Sequence, residues 1–220
     1  MTKRIFAYIS FLCLLLTACK EETYVYPSVI TEFIDLQTDA TGTITHLIAD
    51  DGEHYAVQPR EGLDGLRADT LYRTVSVYQI LNEQTDGNEP EAILYSSRTV
   101  ISPYPVKAGA WKDSIYTDPV DIQSIWRSGD YLNLILEVRR KDQTHAFHFI
   151  EDSISADASD IRTLNLQLFH NSNNDYEAFT EQAYLSVPLR RYRDTLHTGD
   201  KICFRFNTYK EGETYRDFTY

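Results

Sequence analysis

The sequence predicts an all-β protein in which a small OB-type barrel is followed by an antiparallel β-sandwich. Aromatic residues are abundant, with 16 Tyr and 10 Phe against one Met, and this composition favours strands over helices. Short segments in which apolar and polar residues alternate recur along the chain, separated by turn residues. Two prolines in residues 102–105 interrupt the pattern. They indicate a domain boundary, because proline withholds a donor from a sheet.

The N-terminus carries the pattern of a bacterial lipoprotein signal. Lys3 and Arg4 form a positive flank, residues 5–16 are an apolar run, and residues 16–19 read Leu-Thr-Ala-Cys. Twelve helical residues span about 18 Å, which is too short for a hydrocarbon core of about 30 Å. A short apolar run that ends in small residues is typical of a cleaved signal. An uncleaved anchor, or cleavage by the ordinary secretory peptidase, is the alternative.

We predict cleavage between Ala18 and Cys19, which removes residues 1–18 as the signal peptide and leaves a lipidated Cys19. Stable anchoring takes two acyl chains or a second signal, and a lipoprotein cysteine carries more than one chain. The lipid would therefore hold the protein at the outer membrane, with residues 19–27 as a tether. Residues 20–22 (Lys-Glu-Glu) resemble a surface-export signal or form a solvated spacer, so the face of the membrane stays open.

Charge and cysteine content restrict the possible partners and cross-links. The net charge is −12, and nucleic-acid binding depends on Lys and Arg that displace counterions, so nucleic acid is not predicted as a partner. Of the three cysteines, Cys13 leaves with the signal and Cys19 takes the lipid, which excludes an intramolecular disulfide. Cys203 is either a reactive thiol or a packed apolar residue, and the lack of a neighbouring base favours packing.

The predicted barrel occupies residues 28–104. Its five strands are residues 29–37, 41–49, 54–58, 71–81 and 92–101. Residues 50–52 (Asp-Asp-Gly) are a hairpin signal, residues 61–69 are a loop, and residues 82–90 are a polar turn. Five strands with the widest gap between the third and the fourth are typical of an OB-type barrel.

The predicted sandwich occupies residues 105–220. Its strands are residues 122–126, 131–139, 145–150, 163–169, 183–189 and 201–209. The second of these alternates most clearly, with Leu132, Leu134 and Leu136 on one face. Residues 152–160 are predicted to form a loop or a short helix, and residues 177–182 a helical turn. Half-buried strands at this spacing indicate a sandwich.

A short stretch resembles a known family. Residues 118–120 (Asp-Pro-Val), Trp126, residues 129–134 (Gly-Asp-Tyr-Leu-Asn-Leu) and His145 are similar to the NigD-like lipoproteins of Bacteroidetes. This resemblance implies a lipobox signal, an OB-type N-terminal domain and a C-terminal β-sandwich. The family name comes from a bacteriocin-associated gene cluster. The resemblance brings no catalytic residues with it.

Four aromatic residues near the predicted domain junction form a candidate binding surface: Trp111, Tyr116, Trp126 and Tyr131. Exposed aromatic faces stack on sugar rings or anchor protein partners. The alternative for Trp126 is a place in the sandwich core.

Other motifs give weaker indications of function. His145 and His148 would point to opposite faces of a strand, so we predict no metal site there, and residues 190–193 (Arg-Arg-Tyr-Arg) are either a solvated edge or a contact for an acidic partner. The sequence holds no nucleophile elbow, P-loop or zinc-protease motif, so we predict neither a cofactor nor an enzyme.

The sequence thus favours a lipid-anchored, non-enzymatic binding or accessory module for a protein or glycan partner. A bacteriocin-associated immunity or sequestration lipoprotein is the first alternative, and it rests on the resemblance. The second is a glycan hydrolase with an unrecognised carboxylate pair. The oligomeric state stays open.

Overall fold

The computed structural model describes residues 28–82 and 89–220. The predicted signal peptide, Ala18, Cys19, the tether and most of the polar turn at 82–90 lie outside the described residues. The described part of the chain forms thirteen strands and two short 3₁₀ helices. No helix in this part has the length and apolarity needed to cross a bilayer.

The first half of the chain forms a closed barrel with the strand order β1-β2-β3-β5-β4. Its strands are β1 (Ile30–Thr38), β2 (Ile44–Ile48), β3 (His54–Val57), β4 (Leu71–Asn82) and β5 (Glu91–Thr99). β3 and β5 pair in parallel and the other neighbours are antiparallel. This closed five-stranded topology confirms the predicted OB-type barrel.

Strand β4 turns its small polar face into the barrel. Ser76 and Tyr78 are buried, whereas Val75 is half-buried on the outside. The outward valine lines a cleft against the second half of the chain. The outer face of this strand, which carries Arg73 and Val75, is the one that meets the second half of the chain.

The second half forms two sheets that pack face to face, which confirms the predicted sandwich. Their strands are β6 (Val106–Lys107), β7 (Asp121–Ser128), β8 (Tyr131–Arg140), β9 (Ala146–Ala156), β10 (Arg162–Asn171), β11 (Phe179–Pro188), β12 (Lys201–Thr208) and β13 (Gly212–Thr219). One sheet has the order β13-β12-β10-β9-β6 and the other β11-β8-β7. The alternating leucines of β8 are fully buried between the sheets, against residues such as Phe149 and Phe204.

Two local expectations were wrong. The segment 152–160 is not a loop or a helix over its first half, because β9 continues to Ala156 and Ile154 pairs with Leu164 at the sandwich core. Residues 177–182 do not form a helical turn, because β11 begins at Phe179 and pairs with β8. In both cases pairing with a long neighbouring strand outweighs the local polar composition.

Candidate functional site

The barrel and the sandwich meet along a seam between strands β1 and β4 on one side and the three-stranded sheet on the other. Phe33 of β1 lies edge-to-face against Trp126 of β7, with ring centroids 5.2 Å apart. Ile101, just after the barrel, joins β11 through its backbone: its N–H donates to Tyr184 O at 3.0 Å, and its O accepts from Ser186 N–H at 3.0 Å. The connection between the domains is therefore itself part of the sheet.

A buried arginine lies at the centre of this seam. The Arg73 side chain is 3% exposed, and a guanidinium carries five N–H donors in a fixed fork. All five have acceptors: Asp50 is bound through two bonds of 2.6 and 2.8 Å, Asn133 Oδ1 lies at 3.0 Å, Ser186 Oγ at 3.2 Å and Asp35 Oδ1 at 3.4 Å. The acceptors come from both domains, so Arg73 ties them together.

The carboxylate of Asp35 is held by a tyrosine as well as by Arg73. The Tyr131 hydroxyl donates to both Asp35 oxygens at 3.1 and 3.0 Å, and the Tyr131 ring lies 3.7 Å below the Arg73 guanidinium. Burial raises the pKa of Asp35, against the charge of Arg73 and the Tyr131 hydrogen bond. Burial and the Asp35 charge raise the pKa of Tyr131 as well. The phenol therefore stays protonated and donates its hydrogen bond to Asp35. These carboxylates are engaged in binding Arg73 rather than paired for proton transfer.

A cleft of about 320 Å³ opens beside this network. Three aromatic side chains from both domains form its walls: Phe33, Trp126 and Tyr184. Glu32 and Asp50 also border it, but the Glu32 carboxylate accepts from Tyr78 of the barrel core and the Asp50 carboxylate is bound to Arg73. Such a concave, mostly apolar site with a few polar groups is typical of a binding site. We call it the seam cleft.

The structure divides the four predicted aromatic residues into two pairs. Trp126 and Tyr131 lie at the seam, Trp126 in the wall of the cleft and Tyr131 in the network beneath it. Trp111 and Tyr116 instead pack on Phe169 of β10, in the other sheet, with centroids 4.9 and 6.1 Å from that ring. The four do not form one surface, and Trp126 lies at the domain interface rather than in the sandwich core.

The other sequence candidates lie elsewhere. The two histidines of residues 145–148 have different surroundings. His148 packs on Trp111, with ring centroids 5.1 Å apart, whereas His145 forms a hydrogen bond with His170. Within residues 28–82 and 89–220, no cluster of three potential ligands could hold a metal ion. Burial raises the pKa of the Cys203 thiol, and the neighbouring Asp217 adds to the shift, which favours packing over reactivity. In the arginine-rich run, Arg190 and Arg193 both pair with Asp130 near the surface, and Arg190 also lies 3.7 Å from the buried Asp35 of the seam.

The seam network was not predicted. One sequence signal could have pointed to it, because Arg73 is the sole charged residue in β4 and charged residues are rarely buried without partners. Asn133 is a polar residue between two leucines of β8 and belongs to the stretch that carries the family resemblance. The partners of Arg73 come from distant parts of the sequence, and no local spacing reveals them.

A histidine pair joins strand β10 to two neighbouring loops at the end of the sandwich. His170 Nδ1 lies 2.9 Å from the carbonyl oxygen of Asp118. A carbonyl only accepts, so this nitrogen carries the proton. His170 Nε2 must then accept from His145 Nδ1, at 2.9 Å. Burial lowers the pKa of His170, although the Asp118 carbonyl opposes the shift.

This histidine predicts a pH dependence of stability. Because the pKa of His170 is lower in the folded protein than its unfolded value of about 6.5, the unfolded chain binds the proton first. The free energy of unfolding should then fall below pH 6.5, by up to about 1.4 kcal/mol per pH unit until the folded value is reached. Urea unfolding from about pH 7.5 to about pH 5, a range that spans the unfolded pKa, measures the slope. His170→Gln should flatten it, and an unchanged slope in the variant would contradict the assignment.

The fold and the seam define a class of protein: a two-domain β protein that presents an interdomain cleft. Residues 102–220 match the family model of the NigD-like C-terminal beta sandwich domain. The crystal structure of a NigD-like immunity protein from Bacteroides caccae is 33% identical, with 90% of this chain and 99% of that chain covered and a TM-score of 0.70. The chain therefore belongs to the NigD-like family, as its resemblance predicted.

A second crystal structure extends the comparison at lower identity. A Bacteroides vulgatus protein of unknown function is 20% identical, covers 88% of this chain and 91% of its own length, and has a TM-score of 0.68. At this identity the similarity shows the shared fold alone. Comparison with curated proteins gives no match.

Proposed function

We propose that this protein is a lipid-anchored binding or accessory module of the outer membrane, non-enzymatic, that holds a protein or glycan partner in the seam cleft. The observation that carries the proposal is the cleft itself, with aromatic walls contributed by both domains. Tryptophan and tyrosine dominate the energetics of protein recognition, and they also stack on sugar rings.

The seam supports this role through rigidity. Arg73 uses every donor it has on acceptors from both domains, so the two walls of the cleft are held in one arrangement before any partner arrives. Preorganisation of this kind improves affinity, because fewer side chains lose freedom on binding.

The anchor has its own test. Cys19→Ala should leave unlipidated precursor or a soluble protein, because the thiol that accepts the lipid is missing. Cell fractionation and acyl labelling measure the outcome, with Cys203→Ala as the matched control that should stay lipidated. A Cys19→Ala protein that is still acylated and membrane-bound would end the anchoring proposal. Protease shaving of intact cells then decides between the two faces of the membrane.

The binding role is tested by capture from the envelope. Full-length protein, purified in detergent with its cross-linked neighbours, should lose its partner when Trp126 is replaced by alanine, since the cleft loses one wall. Trp111→Ala is the control: it removes the other tryptophan, which packs on the opposite sheet. Equal capture by wild type and Trp126→Ala, with equal folding, would contradict the role of the cleft.

One observation favours a second role. The 33% identical Bacteroides caccae relative is described as a NigD-like immunity protein, and immunity would require the cleft to sequester a toxin. Expression in a bacteriocin-sensitive strain should then raise survival, and Trp126→Ala should abolish that gain. Survival that is independent of the cleft would separate immunity from the binding mode proposed here.

A further inference from the structure

A second cavity lies at the edge of the sandwich and shares no lining residue with the seam cleft. Its volume is about 460 Å³, within the range of about 300–1,000 Å³ that is typical of small-molecule sites. One wall is the edge of the five-stranded sheet, where β6 pairs in parallel with β9 and Lys107 lies beside Glu151. The other wall contains Arg191, Tyr192 and Thr195. We call it the edge cavity.

The strand register places Lys107 and Glu151 on the same face of this sheet. Glu151 pairs with Leu166, whose side chain enters the sandwich core, and Lys107 pairs with Glu151. Because directly paired residues of neighbouring strands share a face, both side chains belong to the inner face. They therefore face the cavity rather than the solvent behind the sheet.

Glu151 is a buried carboxylate with one oxygen left for a ligand. The residue is 8% exposed, and its Oε2 accepts from the Tyr192 hydroxyl at 2.8 Å. Within residues 28–82 and 89–220, Glu151 forms no ion pair. Its Oε1 has no donor among these residues and is not sealed from solvent. A carboxylate oxygen only accepts, so a ligand in the cavity must supply the donor.

Two cations approach the same cavity without a countercharge. Lys107 and Arg191 both line it, and neither forms an ion pair in the part of the chain that the structure describes. Burial and Glu151 raise the pKa of Tyr192, and Arg191 opposes that shift, so the guanidinium lies close to the hydroxyl that Glu151 holds. Arg191 Nη1 donates to the Pro105 carbonyl. Since a guanidinium has five N–H donors, others remain for an anion.

The ligand must therefore combine an anion with hydrogen-bond donors. A phosphate dianion or a plain carboxylate would satisfy Lys107 and Arg191, but it offers no donor to Glu151, which repels it. A neutral sugar would satisfy Glu151 and leave both cations without a partner. A sugar acid carries a carboxylate beside several hydroxyl groups, and its ring can pack on the apolar part of the wall, which includes Pro105 and Val106.

We propose that the edge cavity binds a carboxylate-bearing sugar, either free or as a residue of an acidic glycan. The carboxylate lies between Lys107 and Arg191, as charge-assisted hydrogen bonding favours, and a ring hydroxyl donates to Glu151 Oε1. This site is independent of the seam cleft, so the inference and the proposed function are tested separately.

Three cyclic probes separate the charge from the hydroxyl groups. Full-length 15N-labelled protein in detergent micelles is titrated with methyl glucuronoside, with methyl glucoside, which lacks the carboxylate, and with cyclohexanecarboxylate, which lacks the ring hydroxyls. We expect saturable shifts of the Lys107 and Arg191 amides with the glucuronoside, and about tenfold weaker binding of each of the other two. Trigalacturonic acid that binds more tightly than its monomer would assign the site to a glycan, and equal binding would assign it to a free sugar acid.

Variants check each polar contact. Lys107→Met should weaken glucuronoside binding about tenfold. Lys210→Met makes the same change in an exposed turn at the opposite edge of the sheet and should leave binding unchanged. Glu151→Gln keeps an acceptor for Tyr192; it should weaken binding of the glucuronoside but tighten binding of cyclohexanecarboxylate, because the repulsion is removed.

Several results would overturn the inference. Glucoside or cyclohexanecarboxylate that binds as well as the glucuronoside would do so, as would the absence of a shift with any probe. Tighter binding of free alanine would show that Glu151 is built for an ammonium group instead. Trp126→Ala should bind the glucuronoside as wild type does, since the seam cleft is a different site, and a loss of binding there would move the ligand to the seam cleft.

Discussion

Arg73→Met is expected to destabilise the protein by about 3–5 kcal/mol, the cost of breaking a buried ion pair by removal of one partner. The substitution leaves a side chain of similar length in the seam but removes all five donors. Asp50 then loses its countercharge, Asp35 keeps only Arg190 at 3.7 Å, and Asn133 and Ser186 lose a donor. Urea unfolding at pH 7 measures the loss of free energy relative to wild type.

Two controls separate the network from the loss of a surface charge. Arg98→Met removes an exposed arginine of the same barrel and should cost less than about 1 kcal/mol. Arg73→Met combined with Asp50→Asn should recover part of the loss, because one uncompensated charge disappears with the arginine. An Arg73→Met protein as stable as Arg98→Met would show that the seam is held by its apolar contacts alone.

Patterns that depend on burial were predictable from the sequence. Strand β8 is recognised because Leu132, Leu134 and Leu136 all enter the core, and a half-buried strand must then alternate. Strand β13 was missed for the opposite reason. None of its residues is fully buried and of them Phe218 alone packs against the sandwich core, so its apolar pattern is weak, and its position is fixed by backbone pairing with β12.

The candidate site was predictable only in fragments. Trp126 and Tyr131 were singled out as aromatic residues near the domain junction, and the structure places both at the seam. The polar groups that fix the seam come from β1, the β2–β3 turn, β4, β8 and β11, and Arg73 contacts Ser186, 113 positions away in the sequence. Such pairings depend on how two domains dock, which periodicity does not encode. Trp111 was expected on the same surface because it is close in sequence to the domain junction, but the structure places it on the other sheet.

The contact between the β7–β8 turn and the barrel was not predicted from the sequence. Gly129 has a φ of +51°, and a β-carbon at this position would overlap the backbone carbonyl of Asp50. The same Asp50 holds Arg73 through its side chain. A glycine is therefore needed here for two reasons: the left-handed backbone and the close approach of the two domains.

Gly129→Ala is accordingly expected to lower the free energy of unfolding by about 3 kcal/mol, since the barrel hairpin must retreat and pull Asp50 away from Arg73. Gly212→Ala is the matched control. Its φ is +73° but nothing lies within 4 Å of the added carbon, so it should cost only the backbone strain of about 1 kcal/mol. Urea unfolding of both variants measures the difference, and the Trp126 indole resonance should move in Gly129→Ala alone. Equal losses in the two variants would mean that the turn yields to the added methyl group, and that the contact between Gly129 and Asp50 does not hold the seam closed.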